Sequence, residues 1–189
     1  CSSDLFYDDK VNCIVGESGC GKTTLLNIIA GFVQFENCEI NGITKKDISY
    51  VFQEDRLIPW LTIKENLEIA LKQYSEKDEL NKRVYKVLNL VGIDGIEDKY
   101  PHELSGGMKQ RVNIAWAFGK PSKIILMDEP FKSLDYKIKY IIIDEFIEIL
   151  KKENRMVILV THDLDEAIYF KGNIIVFGGR PVCVKGVFR

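Results

Sequence analysis

Short apolar runs and longer amphipathic stretches alternate at the two ends of the chain. Three runs rich in apolar residues are typical of buried parallel strands: Val11–Val15, Lys123–Pro130 and Arg155–Asp163. The first run precedes a helical pattern that ends at Gly31, and a second helical pattern, from about Lys137 to Lys152, separates the other two. This alternation predicts an α/β fold whose ligands bind at the carboxyl ends of the strands.

The middle of the chain has a different pattern. Residues 62–93 are rich in charge and helical in period, and they lie between the segments PWLT and GIDGIEDKYP. We interpret residues 54–116 as a helical subdomain inserted into a core formed by residues 1–53 and 117–189. No apolar segment approaches eighteen uninterrupted residues, so the sequence predicts no membrane-spanning helix.

Composition narrows the partners and the compartment. A chain of 189 residues, 46% of them hydrophobic, is expected to form one domain with a substantial core. The formal net charge of -2 offers no basic field for a nucleic-acid backbone, so no nucleic-acid partner is predicted. Five cysteines without a CxxC pair indicate neither a disulfide framework nor a zinc site, and a reducing, cytoplasmic setting fits best.

The segment GESGCGKTT, between the first strand and its helix, predicts a phosphate site. Gly16, Gly19 and Gly21 let the backbone amides turn inward around phosphate oxygens, which Lys22 then reaches, while Thr23 offers a hydroxyl to Mg²⁺. The alternative is a glycine turn that caps a helix. The predicted nucleotide-binding residues are Gly16, Glu17, Ser18, Gly19, Cys20, Gly21, Lys22, Thr23 and Thr24.

Two later strands end in residues that suit phosphate chemistry. Asp128 can hold Mg²⁺ and Glu129 can polarise an attacking water, although an adjacent acidic pair also occurs in solvated turns and helix caps. His162 follows the next strand and becomes a candidate γ-phosphate sensor beside these groups, although a lone histidine there would be structural.

The segment LSGGMKQR predicts a second anion site. Ser105, Gly106 and Gly107 open an amphipathic helix and leave amide groups and a hydroxyl at its positive end. A simple Ser-Gly helix start is the alternative.

Together these motifs resemble the nucleotide-binding subunit of an ABC transporter over nearly the whole chain. GESGCGKTT resembles Walker A, VFQED the Q-loop with Gln53, LSGGMKQR the family signature, IILMDEP Walker B, SLD the D-loop at 133–135 and THD the switch histidine. The resemblance implies an α/β fold, a P-loop NTPase (RecA-like) core with an inserted α-helical subdomain and a reduced antiparallel β subdomain.

The same resemblance implies ATPase activity, with ATP and Mg²⁺ as ligands. It assigns the phosphates to Lys22 and the loop amides, and Mg²⁺ to Thr23, Gln53 and Asp128. It names Glu129, His162 and Gln53 as the catalytic residues. It also implies a head-to-tail dimer in which Ser105, Gly106 and Gly107 complete the nucleotide site of the second subunit.

A narrower likeness concerns VFQEDRLIPWLTIKENL, residues 51–67, which is similar to the nitrate, sulfonate and taurine importer ATPases. It implies that Leu57–Leu61 faces separate transmembrane permease subunits, with an extracellular substrate-binding protein beyond them. The chain would then lie in the cytoplasm, peripheral to the inner face of the membrane. A turn packed into the helical subdomain is the alternative for Leu57–Leu61, and both interpretations can hold.

The chain also departs from the family pattern. The family places an adenine-stacking aromatic well before Walker A, and Phe6 and Tyr7 lie too close to the loop to replace it. Trp116 stands where the family usually has arginine. Two alternatives therefore stay open: a soluble ABC ATPase without a membrane partner, and a degenerate cassette that binds nucleotide without efficient turnover.

Overall fold

A computed structural model describes residue 6 and residues 11–33, 43–74, 76–153, 155–179 and 183–188. The strands in these parts are β1 (Val11–Gly16), β2 (Ile48–Val51), β3 (Ile124–Asp128), β4 (Met156–Thr161), β5 (Asn173–Gly178) and β6 (Cys183–Phe188). They form one sheet in the order β2-β3-β4-β1-β5-β6.

The centre of the sheet is parallel. Strand β1 pairs in parallel with β4 and β5, and β3 pairs in parallel with β4. The buried, largely β-branched residues of β1, β3 and β4 confirm the three predicted strands. The carboxyl ends of these strands therefore meet at one edge of the sheet. Strands β2, β5 and β6 were not predicted, and β6 pairs antiparallel with β5.

The helices described are α1 (Lys22–Ile29), α2 (Ile63–Leu71), α3 (Lys77–Leu90), α4 (Gly106–Gly119), α5 (Tyr136–Lys152) and α6 (Leu164–Tyr169). The predicted helical stretch at 62–93 consists of α2 and α3, separated by a short 3-10 turn at Lys72–Tyr74. Among the helices of the described residues, none combines the length and the hydrophobicity needed to cross a bilayer.

The chain forms two compact units. The first comprises residues 1–50, 122–129 and 152–189 and contains nearly all of the sheet. The second comprises residues 51–121 and 130–151, and in it α2, α3 and α4 pack on one another. Helix α5 belongs to the second unit, where Phe146 packs edge-on against Phe118 of α4 at 4.2 Å between ring centroids. The predicted subdomain of residues 54–116 stays a prediction.

Candidate active site

The turn from β1 to α1 has the backbone that a phosphate loop requires. Gly19 and Gly21 have φ of 77° and 90°, in the left-handed region that residues with a Cβ seldom adopt. A Cβ on Gly16 would lie 2.5 Å from the carbonyl oxygen of Phe177 on β5. Each of the three glycines picked out from the sequence therefore has a backbone reason to be glycine.

Lys22 lies at the first position of α1 with its side chain across this loop. Its Nζ donates hydrogen bonds to the carbonyl oxygens of Gly16 at 2.7 Å and Glu17 at 2.9 Å. The side chain is buried, and Nζ also lies 3.9 Å from Sγ of Cys20. The loop backbone thus fixes the position of the ammonium group.

The acidic pair continues β3 into a turn. Asp128 is the last residue of the strand and is buried. Glu129 follows with φ of 45°, and its N–H donates to the carbonyl oxygen of Val160 on β4 at 2.9 Å. The bond to the neighbouring strand holds Glu129 at the sheet edge.

Glu129 and His162 contact each other at that edge. Nδ1 of His162 lies 3.1 Å from Oε1 of Glu129, although 33 positions separate the two residues in the chain. The Glu129 side chain is 13% exposed and that of His162 is 54% exposed, so the pair is open to solvent on the histidine side. The structure therefore brings together two of the residues predicted to be catalytic.

The strand register relates the phosphate loop to this pair. Val15 of β1 aligns with Thr161 of β4, and Asp128 of β3 aligns with Val160 of β4. The phosphate loop thus begins one strand away from His162 and two strands away from Asp128. All of these residues lie in the first unit and at the same sheet edge.

The sequence did not predict a hydrogen-bond network around Thr161, the residue before His162. Thr161 donates from Oγ1 to Oε2 of buried Glu166 at 2.7 Å, and it accepts from the N–H of Asp163 at 3.0 Å. Asp163 in turn caps α6 by accepting from the N–H groups of Asp165 and Glu166. Asp163 at the cap position and the acidic residues Asp165 and Glu166 in the first turn are the sequence signal of such a helix start.

The signature residues begin α4 in the second unit. Ser105 caps this helix, because its Oγ accepts from the N–H of Met108 at 3.3 Å. Ser105 and Gly106 are exposed, and a Cβ on Gly106 would meet no atom within 4 Å. A Cβ on Gly107 would lie 3.2 Å from the carbonyl oxygen of Ser133. The positive end of the helix is therefore exposed, and the anion site at Ser105, Gly106 and Gly107 stays a prediction.

Gln53 also belongs to the second unit, where it is exposed in the segment after β2. Its neighbour Phe52 accepts at its carbonyl oxygen from Nε2 of Gln110 on α4 at 3.4 Å. Asp55 pairs with Lys109 of the same helix at 3.6 Å. The Q-loop segment is therefore attached to the signature helix.

The remaining predictions concern aromatic residues. Tyr7 lies outside the described residues, and Phe6 is half-buried. Trp116 is partly exposed on α4. These observations leave the expectation about adenine stacking as a prediction.

The first unit offers hard oxygen ligands of the kind that suit Mg²⁺. The Thr23 hydroxyl lies on the exposed first turn of α1, and Asp128 supplies carboxylate oxygens at the same sheet edge. Among the described residues, no group of three or more His, Cys, Asp or Glu side chains is placed so that it could hold a metal ion. Mg²⁺ usually needs only one or two protein oxygens when phosphates supply others, so the residues fit that ion.

Comparison with known proteins gives consistent matches. The family described as ABC transporter matches residues 5–132 of the chain. An uncharacterized ABC transporter ATP-binding protein of Methanocaldococcus jannaschii is 39% identical over an alignment that covers 97% of this chain and 71% of that protein. The aliphatic sulfonates import ATP-binding protein of Bacillus subtilis is 40% identical over an alignment that covers 89% of this chain and 68% of that protein.

The fold also matches that of a known structure. It is the dimeric structure of a post-hydrolysis state of an ATP-binding cassette bound to ADP and Pi. The superposition has a TM-score of 0.84 at 29% identity and covers 97% of this chain and 87% of that one.

Proposed function

Because this chain belongs to the ABC transporter family, we propose that it is the ATP-hydrolysing subunit of an importer for a small anion of the nitrate, sulfonate or taurine kind. Like the cassettes that it resembles, the chain is an ATPase and ATP is its ligand. The names of the sulfonate-import relatives support a sulfonate among these anions.

The contact between Glu129 and His162, at the sheet edge where the phosphate loop begins, carries this proposal. In the proposed reaction, Glu129 accepts a proton from the water that attacks the γ-phosphate. His162, whose ring position is fixed by Glu129, contacts the γ-phosphate. Lys22 and the amides from Gly16 to Thr24 hold the phosphates.

Mg²⁺ would be held by Thr23 and Asp128 of the first unit, and the expectation that Gln53 is a further ligand stays a prediction. When bound, the ion neutralises charge on the phosphate oxygens and orients the phosphates for attack. The chain's own contribution is to hold the backbone of Asp128 at the end of the buried strand β3, where it aligns with Val160 of β4.

A second copy of the chain would complete the nucleotide site. The exposed start of α4, with Ser105, Gly106 and Gly107, suits the phosphates of a nucleotide held by that copy. A head-to-tail dimer uses both anion sites of each chain at once. The dimeric cassette with ADP and Pi supports dimer formation by this chain.

Trp60 is the proposed contact with the permease. The residue is 76% exposed, the largest exposed fraction among the exposed large hydrophobic residues of the described part of the chain, so it is available to a partner. The chain would thus bind at the inner face of the membrane, below permease subunits that receive the anion from a substrate-binding protein.

We predict that Trp60→Ala releases the chain from the membrane. Inverted membrane vesicles are prepared from the cells in which this protein occurs naturally and are mixed with the purified chain. The bound fraction is measured by sedimentation. Loss of a central aromatic contact should weaken binding by about tenfold or more. Tyr85→Ala is the matched control, because Tyr85 is an exposed aromatic residue of the same unit.

The result also separates the alternatives. Equal membrane binding by the parent and by Trp60→Ala would contradict the proposal that Trp60 contacts the permease. Absence of binding by the parent, with ATP hydrolysis intact, would favour a soluble ABC ATPase. Binding without hydrolysis would favour a degenerate cassette.

A further inference from the structure

One buried amide holds the turn that carries Trp60. Asn66 of α2 is 5% exposed, and its Oδ1 accepts from the N–H of Ile58 at 2.7 Å. Its Nδ2 lies within donor distance of three carbonyl oxygens, those of Ile58 at 3.1 Å, Leu61 at 3.1 Å and Thr62 at 2.9 Å. A single side chain therefore binds the backbone on both sides of Trp60.

These bonds match what a buried amide requires. An unsatisfied amide in an apolar setting is costly, and this one has both its donors and its acceptor engaged by the same turn. The N–H of Leu61 also donates to the carbonyl oxygen of Ile58 at 3.2 Å. The turn is thus closed by its own backbone and held from beneath by Asn66, while Trp60 points to solvent.

The helix that carries Asn66 is itself firmly anchored. Thr62 and Glu65 form a reciprocal capping box at its start. The N–H of Ile63 donates to the carbonyl oxygen of Lys99 at 2.8 Å, and that of Lys64 donates to Glu97 at 2.9 Å. Because its helix is anchored, Asn66 can hold the turn at residues 58–61 in one position through its hydrogen bonds.

We propose that Asn66 is a positioning residue that preorganises the Trp60 turn for binding to the membrane subunit. The inference rests on the proposed function, since it assumes that Trp60 is the docking residue. A turn that is ordered before binding loses less conformational entropy when it docks, so binding is tighter. Asn66 acts on the partner only through the turn.

Amide hydrogen exchange of the purified chain tests the positioning role without any membrane. The N–H of Ile58 is the sensitive site, because it donates to Asn66. In Asn66→Ala we expect this amide, followed by NMR, to exchange about tenfold faster or more, since a lost hydrogen bond to a buried partner permits local opening. Asn89→Ala, on an exposed position of α3, should stay within about twofold of the parent.

A second variant covers the case in which Asn66→Ala does not fold. Asn66→Asp keeps the side-chain volume and the acceptor for Ile58, but it loses the donated hydrogen bonds and places a carboxylate against three carbonyl oxygens. The exposed Asn89→Asp introduces the same charge as a control. Membrane binding should fall in Asn66→Asp and persist in Asn89→Asp.

The vesicle assay then links the turn to docking. We expect both Asn66 variants to lose membrane binding as Trp60→Ala does. Unchanged exchange of Ile58 in Asn66→Ala would overturn the inference. Full membrane binding by the Asn66 variants, with Trp60→Ala defective, would also overturn the inference, but Trp60 would remain the proposed contact with the permease. Full membrane binding by Trp60→Ala would overturn both the proposed role of Trp60 and the inference about Asn66.

Discussion

Glu129 occupies a backbone conformation that residues with a side chain seldom adopt. Its φ of 45° costs on the order of 1–3 kcal/mol when compared with an extended or helical residue. The bond from its N–H to Val160 holds the residue in place. Strain of this kind is typical of sites where the position of one group matters, and here it directs Glu129 toward His162.

We expect Glu129→Gln to bind nucleotide as the parent does. Its rate of hydrolysis should fall by about a hundredfold or more, because an amide cannot accept the proton of the attacking water. The measurement is steady-state ATP hydrolysis beside equilibrium nucleotide binding. The exposed Glu145→Gln is the control for loss of one carboxylate. Hydrolysis at the parent rate by Glu129→Gln would remove this residue as the base.

Residues were easier to predict than their conformations. Lys22, Asp128 and His162 stand in local motifs that announce their chemistry. The left-handed backbone of Glu129 depends on Val160, which lies 31 positions later, and no local pattern indicates it. Asn66 is similar, since an asparagine inside a helical pattern gives no sign that it binds a preceding turn.

Some of the helices and strands could likewise be predicted from local sequence, and others could not. Strands β1, β3 and β4 were predictable because strands buried on both faces are continuous apolar runs. Strand β6 was not, because it is exposed along most of its length and depends on antiparallel pairing with β5. Helix α5 was predicted within one residue at its start, but its packing with Phe118 in the second unit was not.

A short element at the start of β2 gives a pH-dependent prediction. Asp47 ends the 3-10 helix Lys45–Asp47 and accepts from the side chain and the N–H of Thr44, while Lys123 lies 3.1 Å away. These hydrogen bonds, those from Thr44 first and then that from Lys123, lower the pKa of Asp47 from 3.8 to about 2. The ionised carboxylate is therefore favoured in the folded state.

The sign follows from the lowered pKa. The stabilisation is present above the unfolded-state pKa of 3.8 and is lost as the pH falls from there to about 2. We expect Asp47→Asn to unfold at lower urea concentration than the parent near neutral pH, and at the same concentration near pH 2. Asp94→Asn controls for removal of an exposed carboxylate. A difference from the parent that persists at the acidic end would contradict this account.

At the scale of the whole molecule, the sequence predicts two anion sites. The phosphate loop and the residues at the ends of β3 and β4 lie together in the first unit, because parallel pairing aligns their carboxyl ends. The signature residues lie in the second unit, at an exposed helix start. A head-to-tail dimer, as proposed, gives both sites one common ligand.

Complementation between two inactive variants tests this claim most directly. Lys22→Ala removes the phosphate-binding lysine. Gly106→Asp places a negative charge at the start of α4, where there is room for a side chain and where the helix dipole favours an acid, so the fold should be kept while nucleotide phosphates are repelled. Each variant alone should hydrolyse ATP very slowly.

Mixed at equal amounts, the two variants form dimers in which one of the two composite sites is intact. We predict that Mg²⁺-dependent ATP hydrolysis by the mixture recovers to about a quarter of the parent rate, because about half of the dimers are mixed and each has one complete site. A mixture no more active than the two variants measured separately would contradict a nucleotide site shared between two chains.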